Sequence, residues 1–232
     1  IRDRFAVVGA PKATADPFGL RRAAYGAVQA LVANGVRCDA RAALAEAAAL
    51  QPVACGAETV GECVEYMTRR LEQYLVDSGC GIEAVRAVLA ERGDDPAFAA
   101  ATARELDEVV KAKGSDALKT AMAVLARPTK LVRGKELPED LEVKRDSLVD
   151  AEEVALYDAY LAAREALGDG SAASVSDLLA AAATLSAPSE AFFDEVFVMA
   201  EEPELRRNRL ALVNAVASLP EGIVDFAELP GF

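Results

Sequence analysis

Thr59-Val-Gly-Glu-Cys-Val-Glu-Tyr-Met-Thr-Arg-Arg-Leu-Glu-Gln-Tyr-Leu75 is the stretch that decides the fold. Its apolar residues Val60, Cys63, Val64, Met67, Leu71, Tyr74 and Leu75 recur at intervals of three and four, one face of an α-helix. Thr59 and Glu62 have the spacing of a capping box, which predicts a helix start at Thr59.

The same period recurs on both sides. Upstream, Asp16 can cap and Pro17 suits the first helical position, with Leu20, Ala24, Ala27, Val28 and Leu31 on one face and Gly35 as a stop. A helix is expected from about Asp39 to Leu50. Downstream, helices are expected around Ile82 to Leu89, from Asp95-Pro96 through Val110, and from Ser115 through Leu125. Arg127 to Asp146 reads as a loop, because Pro128 and Pro138 break helices. Asp150 caps a long helix ending at Gly168-Asp-Gly170, and helices over Ser176 to Leu185, Ser189 to Met199 and Pro203 to Leu219 complete the run. Residues Ile1 to Ala15 read as irregular, with one short extended stretch at Phe5 to Val8. No stretch alternates convincingly with period two, so the class is all-α, a helical bundle. Arg92-Gly-Asp-Asp-Pro96 marks the expected division, giving 1–94 and 95–232.

Composition agrees. Of 232 residues, 53% are hydrophobic but only 6% aromatic, and alanine makes up much of the excess. Small apolar side chains favour closely packed helices. A charged fraction of 27% suits a globular chain. No apolar run approaches the ~20 residues of a membrane span, and no signal peptide is visible. The first residue is Ile1 rather than Met, so a processed product, a fragment or the ordered part of something longer is expected.

Several kinds of chemistry are excluded or disfavoured. With no histidine, Ser/His/Asp and Cys/His catalysis cannot operate. Neither a phosphate-binding G-x-x-x-x-G-K-[ST] loop nor a G-x-G-x-x-G turn occurs. Cys38, Cys55, Cys63 and Cys80 form no C-x-x-C pair, so free thiols are expected rather than a zinc site, in a reducing compartment. No catalytic residue and no metal ligand is therefore assigned.

Net charge is −13, which argues against a duplex-DNA clamp or an anionic-membrane binder. Against that background, Lys111, Lys113, Lys119, Arg127, Lys130, Arg133 and Lys135 are accompanied by a single acid, Asp116. This segment carries +6, leaving −19 for the rest, and it can direct a polyanion to one place. Arg21-Arg22, with Arg37 and Arg41, forms a second cluster, for which carboxylates of the same chain are plausible partners. Asp194 lies among apolar neighbours in Phe192 to Phe197, so an ion pair with Arg206 or Arg209 is expected.

Asp16-Pro-Phe-Gly-Leu-Arg-Arg-Ala-Ala24, preceded by Gly9-Ala-Pro-Lys12 and followed by Gly26, resembles a signature of the glycyl-tRNA synthetase β subunits of bacteria and plastids. Phe192-Phe-Asp-Glu-Val-Phe-Val-Met-Ala200 and Arg207-Asn-Arg-Leu210 resemble two further elements of that family, in the family's order. The resemblance covers essentially the whole chain and points to the C-terminal part of the β subunit. It implies the end of an HD-like helical domain, whose motif histidines would lie upstream of Ile1, followed by an anticodon-binding domain like that of arginyl synthetases. It implies tRNA(Gly) as the partner, and ATP and glycine used by an α subunit or fused α part, with no cofactor in this chain. It also implies an oligomeric assembly in a plastid stroma or bacterial cytoplasm, with no DNA and no membrane as partner. Ala126-Arg-Pro-Thr-Lys-Leu131 departs from the family's K-R-x-x-N-I type segment: Arg127 is kept, Lys130 replaces Asn, and Pro128 is expected to disturb the helix. The ending Leu219-Pro-Glu-Gly-Ile223 to Leu229-Pro-Gly-Phe232 resembles the cyanobacterial and plant forms. The expected function is thus the tRNA-recognition part of a glycine–tRNA ligase. The alternative is a synthetase-derived helical module serving as a structural or interaction subunit.

Overall fold

The computed structural model describes residues 16, 18–50, 54–112, 115–138 and 140–232. Phe5 to Val8, Pro17 and Lys113 therefore lie outside the described residues. Among those described there are ten α-helices and no strand. The helices are α1 (Leu20–Asn34), α2 (Ala40–Ala49), α3 (Ala57–Asp77), α4 (Ile82–Arg92), α5 (Pro96–Lys111), α6 (Asp116–Val132), α7 (Ala151–Leu167), α8 (Val175–Thr184), α9 (Ser186–Glu195) and α10 (Pro203–Ala217). Two single-turn 3-10 segments, Arg145–Ser147 and Phe226–Glu228, complete the chain.

The helices fall into two compact units: Ile1–Glu108 with Glu228–Pro230, and Val109–Ala227 with Gly231–Phe232. The division lies within α5, later than the expected break near Asp94. Asp94 and Asp95 are internal to the first unit because they are tied to α2 and the turn before it. The Asp94 carbonyl accepts the Ala40 N–H (2.7 Å), while Arg41 and Arg37 pair with Asp94 (2.9 Å) and Asp95 (2.5 Å). Two members of the Arg21, Arg22, Arg37 and Arg41 cluster thus answer carboxylates of their own chain.

In the first unit α3 packs against α1, α2 and α4. Its buried stripe is Val60, Cys63, Val64, Met67, Leu71 and Leu75, the face read from the sequence, with Tyr74 half-buried at its margin. Full burial of Leu71 and Leu75 stabilises the unit by roughly 1.5–3 kcal/mol each. The helix begins at Ala57 behind Gly56, so the expected Thr59–Glu62 capping box does not form. Likewise α1 begins at Leu20, behind Gly19 in a left-handed conformation (φ 67). Asp16 still serves that helix, since its carboxylate accepts the Arg21 N–H (3.1 Å). Gly35 stops α1 as expected: at φ 61 it donates to the Val32 carbonyl, and Val36 donates to Leu31 (3.0 Å).

In the second unit α6 packs against α8, α9 and α10, and α7 packs against the same three. Leu125, Leu156, Leu178, Leu185, Phe192 and Leu212 are fully buried there. The expected loop from Arg127 is corrected: α6 runs on through Pro128 to Val132. A proline ring removes only one bond, to the Val124 carbonyl. Ala121, Val124, Leu125 and Pro128 form one buried stripe, and burial of that stripe outweighs the local preference. The irregular segment begins instead at Arg133 and Gly134 (φ 74).

Candidate nucleic-acid interface

The candidate cations are positioned by α6 and the turn after it. Lys119, Arg127 and Lys130 recur at i, i+8 and i+11, one helix face at 3.6 residues per turn. That face is opposite the buried Ala121–Pro128 stripe, and all three residues are exposed. Arg133 caps the helix C-terminus, and Lys135 follows it, also exposed. Lys111 ends α5, exposed to solvent.

The cations are not equivalent. Lys119 lies 3.7 Å from Asp116 in an exposed pair worth only ~0.3–0.5 kcal/mol. Arg127 is engaged with the end of α9: it donates to the Phe193 carbonyl (3.2 Å), stands 3.8 Å from Asp194, and lies over the Phe193 ring at 4.7 Å. A cation at a helix C-terminus meets unpaired carbonyls and the negative end of the dipole. Among the described residues Lys130, Arg133 and Lys135 make no ion pair, so their charge is available to a phosphate.

The expected pairing of Asp194 with Arg206 or Arg209 does not form. Phe192 is the core-facing residue of the last turn of α9, and Asp194, two positions on, points outward toward Arg127. Arg206 donates to the Ala200 carbonyl (3.2 Å). Arg209 is the centre of a different network. Its guanidinium binds the fully buried Glu153 carboxylate, Asp150 (2.6 Å) and the Phe197 carbonyl (2.9 Å). The second Glu153 oxygen accepts the N–H groups of Val149 (2.5 Å) and Asp150 (3.1 Å), closing the α7 capping box. The neighbouring Asn208 is also buried. Its amide pairs with the Lys144 peptide in both directions, accepting at 2.7 Å and donating at 3.1 Å. Asn208 and Arg209 therefore hold the end of the long loop, the start of α7 and the segment after α9.

That segment was expected to be helical to Met199, but α9 ends at Glu195 and Val196 is extended. Val196, Val198 and Ala200 are buried while Phe197 is 72% exposed and Met199 is half-exposed. The alternation Val-Phe-Val-Met-Ala is the period-two signal that would have located it. Phe197 is thus an aromatic ring presented to solvent on a backbone that Arg209 pins.

Tyr157 and Tyr160 are stacked on α7, with centroids 6.5 Å apart and planes inclined by 22°. Burial raises the Tyr160 hydroxyl above its ordinary value of 10.0, with Arg164 opposing the shift. Tyr160 therefore remains a neutral donor throughout the physiological range.

The second unit has a known counterpart. Residues 121–223 match the model of the DALR anticodon binding domain, and the class of the second unit is an anticodon-binding helical domain. Residues 1–90 match the glycyl-tRNA synthetase beta subunit model. The chain is 40% identical over 228 residues to a chloroplastic/mitochondrial glycine–tRNA ligase of Arabidopsis thaliana, covering 98% of this chain and 21% of the relative. It is 32% identical over 234 residues to the glycine–tRNA ligase beta subunit of Haemophilus influenzae, and 33% identical over 230 residues to that of Pasteurella multocida. Each match covers 97% of this chain and 32% of the relative. The chain belongs to the glycyl-tRNA synthetase β-subunit family. It spans about a fifth to a third of the length of the curated relatives it matches.

Proposed function

We propose that this chain is the tRNA-recognition part of a glycine–tRNA ligase, holding tRNA(Gly) while an α subunit or fused α part, which uses ATP and glycine, carries out the chemistry. The chain works in a larger assembly, in a plastid stroma or bacterial cytoplasm. Among the described residues no helix is long and apolar enough to cross a membrane. One observation carries the reading: the unit matching an anticodon-binding domain also carries the basic face of α6, continued by Arg133 and Lys135. Lysine and arginine side chains there meet phosphates, and an exposed ring such as Phe197 is suited to stack on an unpaired base. Lys111, Lys119 and Arg127 take secondary parts, Arg127 chiefly by fixing the end of α9. Lys113 belongs to the same basic segment by sequence.

The test is tRNA binding by the 232-residue chain across a salt series. Replacing Lys130, Arg133 and Lys135 together by Glu is expected to lower affinity about 100-fold at 0.1 M salt and to reduce the salt slope by about 3. Unchanged affinity and slope would remove the segment from the interface.

A further inference from the structure

A groove of about 370 Å³ lies within the second unit, between the loop at Leu141–Val143, α7 and α10. That volume is within the roughly 300–1,000 Å³ of small-ligand sites. Tyr157 and Tyr160 supply aromatic surface along one side, and Asn214 of α10 and Ser218, the residue that caps that helix, supply polar groups. Ala211 and Ala215 leave the space open. Glu142 stands on the loop side. That loop has one turn bond of its own, from the Leu141 N–H to the Pro138 carbonyl (3.2 Å), and the double hydrogen bond between Asn208 and the Lys144 peptide fixes it two residues beyond Glu142. The Asn214 side chain makes no hydrogen bond to the described residues, so its donor and its acceptor are both available.

The donor set is selective. Aromatic faces beside an amide, a hydroxyl and an acceptor-only carboxylate fit a flat heterocycle with mixed hydrogen-bonding edges. A carboxylate requires a donor opposite it, which adenine, cytosine and guanine provide through their exocyclic amines. Uracil has no such amine; its one edge donor, N3–H, lies between two carbonyl oxygens that would be brought against the Glu142 carboxylate.

We propose that this groove is a subsite for one unpaired, amine-bearing base of the RNA, stacked against Tyr157 and Tyr160 and read by Asn214 and Glu142. The subsite rests on the RNA-binding reading given above. The basic segment ends at Lys135, and the loop that follows leads directly to Glu142, so the backbone contacts and the base contact lie on consecutive stretches of chain. Phosphate contacts supply affinity without sequence preference; this groove supplies the preference.

The experiment uses the 232-residue chain and a hairpin RNA with the anticodon loop of a glycine tRNA. Each loop base is replaced in turn by an abasic residue. Affinity is measured by fluorescence anisotropy. One abasic position is expected to weaken binding by about tenfold or more, the loss associated with one stacked base. Asn214→Ala and the double variant Tyr157→Ala/Tyr160→Ala are expected to weaken the intact hairpin and to erase the penalty at that one position. Glu142→Gln, at an exposed side chain with no folding role, is expected to shrink the preference over uracil at the same position. Equal penalties in the original chain and all variants, or no penalty at any position, overturn the subsite. If the Lys130, Arg133 and Lys135 replacement still weakens binding in that case, the RNA-binding reading stands without it. Failure of the original chain to bind the hairpin overturns both.

Discussion

Arg209 offers the sharpest test of what holds the second unit together. Its side chain is only 9% exposed, and Glu153 beside it is fully buried. Arg209→Met keeps most of the volume and removes the charge. Glu153 then loses its partner at one carboxylate oxygen while the other keeps the N–H groups of Val149 and Asp150. Removing one member of a buried pair costs about 3–5 kcal/mol, because the remaining charge stays desolvated. The two retained N–H donors place this case near the lower end, and the orphaned Phe197 carbonyl adds about 1 kcal/mol. A loss of about 4 kcal/mol in a unit of this size lowers its melting temperature by roughly 10–20 °C. Far-UV circular dichroism during thermal and urea unfolding reads it, since α6 to α10 are all helical. Adding Glu153→Gln should recover about half of the loss, because glutamine keeps an acceptor for the two N–H groups and removes the uncompensated charge. A single variant costing under about 1 kcal/mol, or a double variant no better than the single one, would refute the argument.

Pro128→Ala restores a backbone donor to the Val124 carbonyl and is expected to stabilise the second unit by about 1–2 kcal/mol, the ~3 kcal/mol cost of an interior proline less the packing of a buried ring. Urea midpoints check it, and tRNA affinity measured alongside tells whether the proline sets the direction of Lys130 and Arg133. Gly93→Ala is expected to destabilise the first unit by about 1–3 kcal/mol, since a Cβ there would stand 2.8 Å from the Leu89 carbonyl oxygen and 2.9 Å from the Thr68 methyl. A neutral result in thermal unfolding would mean that both Thr68 and the last turn of α4 give way without cost. At α8, the Ser174 hydroxyl and N–H hold the Asp177 carboxyl below its ordinary value of 3.8. A depressed carboxyl stabilises the fold above that ordinary value, and the contribution is lost as pH falls through the folded value. Ser174→Ala should therefore cost about 1 kcal/mol at neutral pH and flatten the decline in stability below about pH 4, measured as urea midpoints against pH.

Helix existence was legible because burial follows a period the sequence displays. Leu71 and Leu75 on α3 and Asp150 as a cap stand where spacing and side-chain chemistry put them, and the helices expected to start at Asp39 and Ser115 do start there, with those residues as caps. The misreadings share one cause, local rules applied where a tertiary contact decides. Thr59 and Glu62 have capping spacing, but the chain enters that helix two residues earlier. Pro128 is a helix breaker in isolation, yet its ring completes a buried stripe. Asp194 among phenylalanines reads as buried, although on a helix its neighbours in sequence face different ways. The true buried acid, Glu153, sits in Ala-Glu-Glu-Val, where its spacing from Asp150 suits a capping residue but nothing signals burial until Arg209 is brought against it from 56 residues away. The basic segment was visible as a charge count. That Arg127 is taken up by α9 while Lys130, Arg133 and Lys135 are not depends on contacts between helices far apart in the chain.

Asn208 and Arg209 are adjacent residues, yet their bonds reach Lys144, Asp150, Glu153 and Phe197. One turn of α10 is consequently a common datum for three stretches of chain that do not touch through their own sequence. The Lys144 peptide at the end of the long loop and the Phe197 carbonyl are thereby tied to consecutive residues of one helix. Opening that single turn therefore removes one hold from all three stretches at once, while Arg145 and Asp158 still tie the end of the loop to α7.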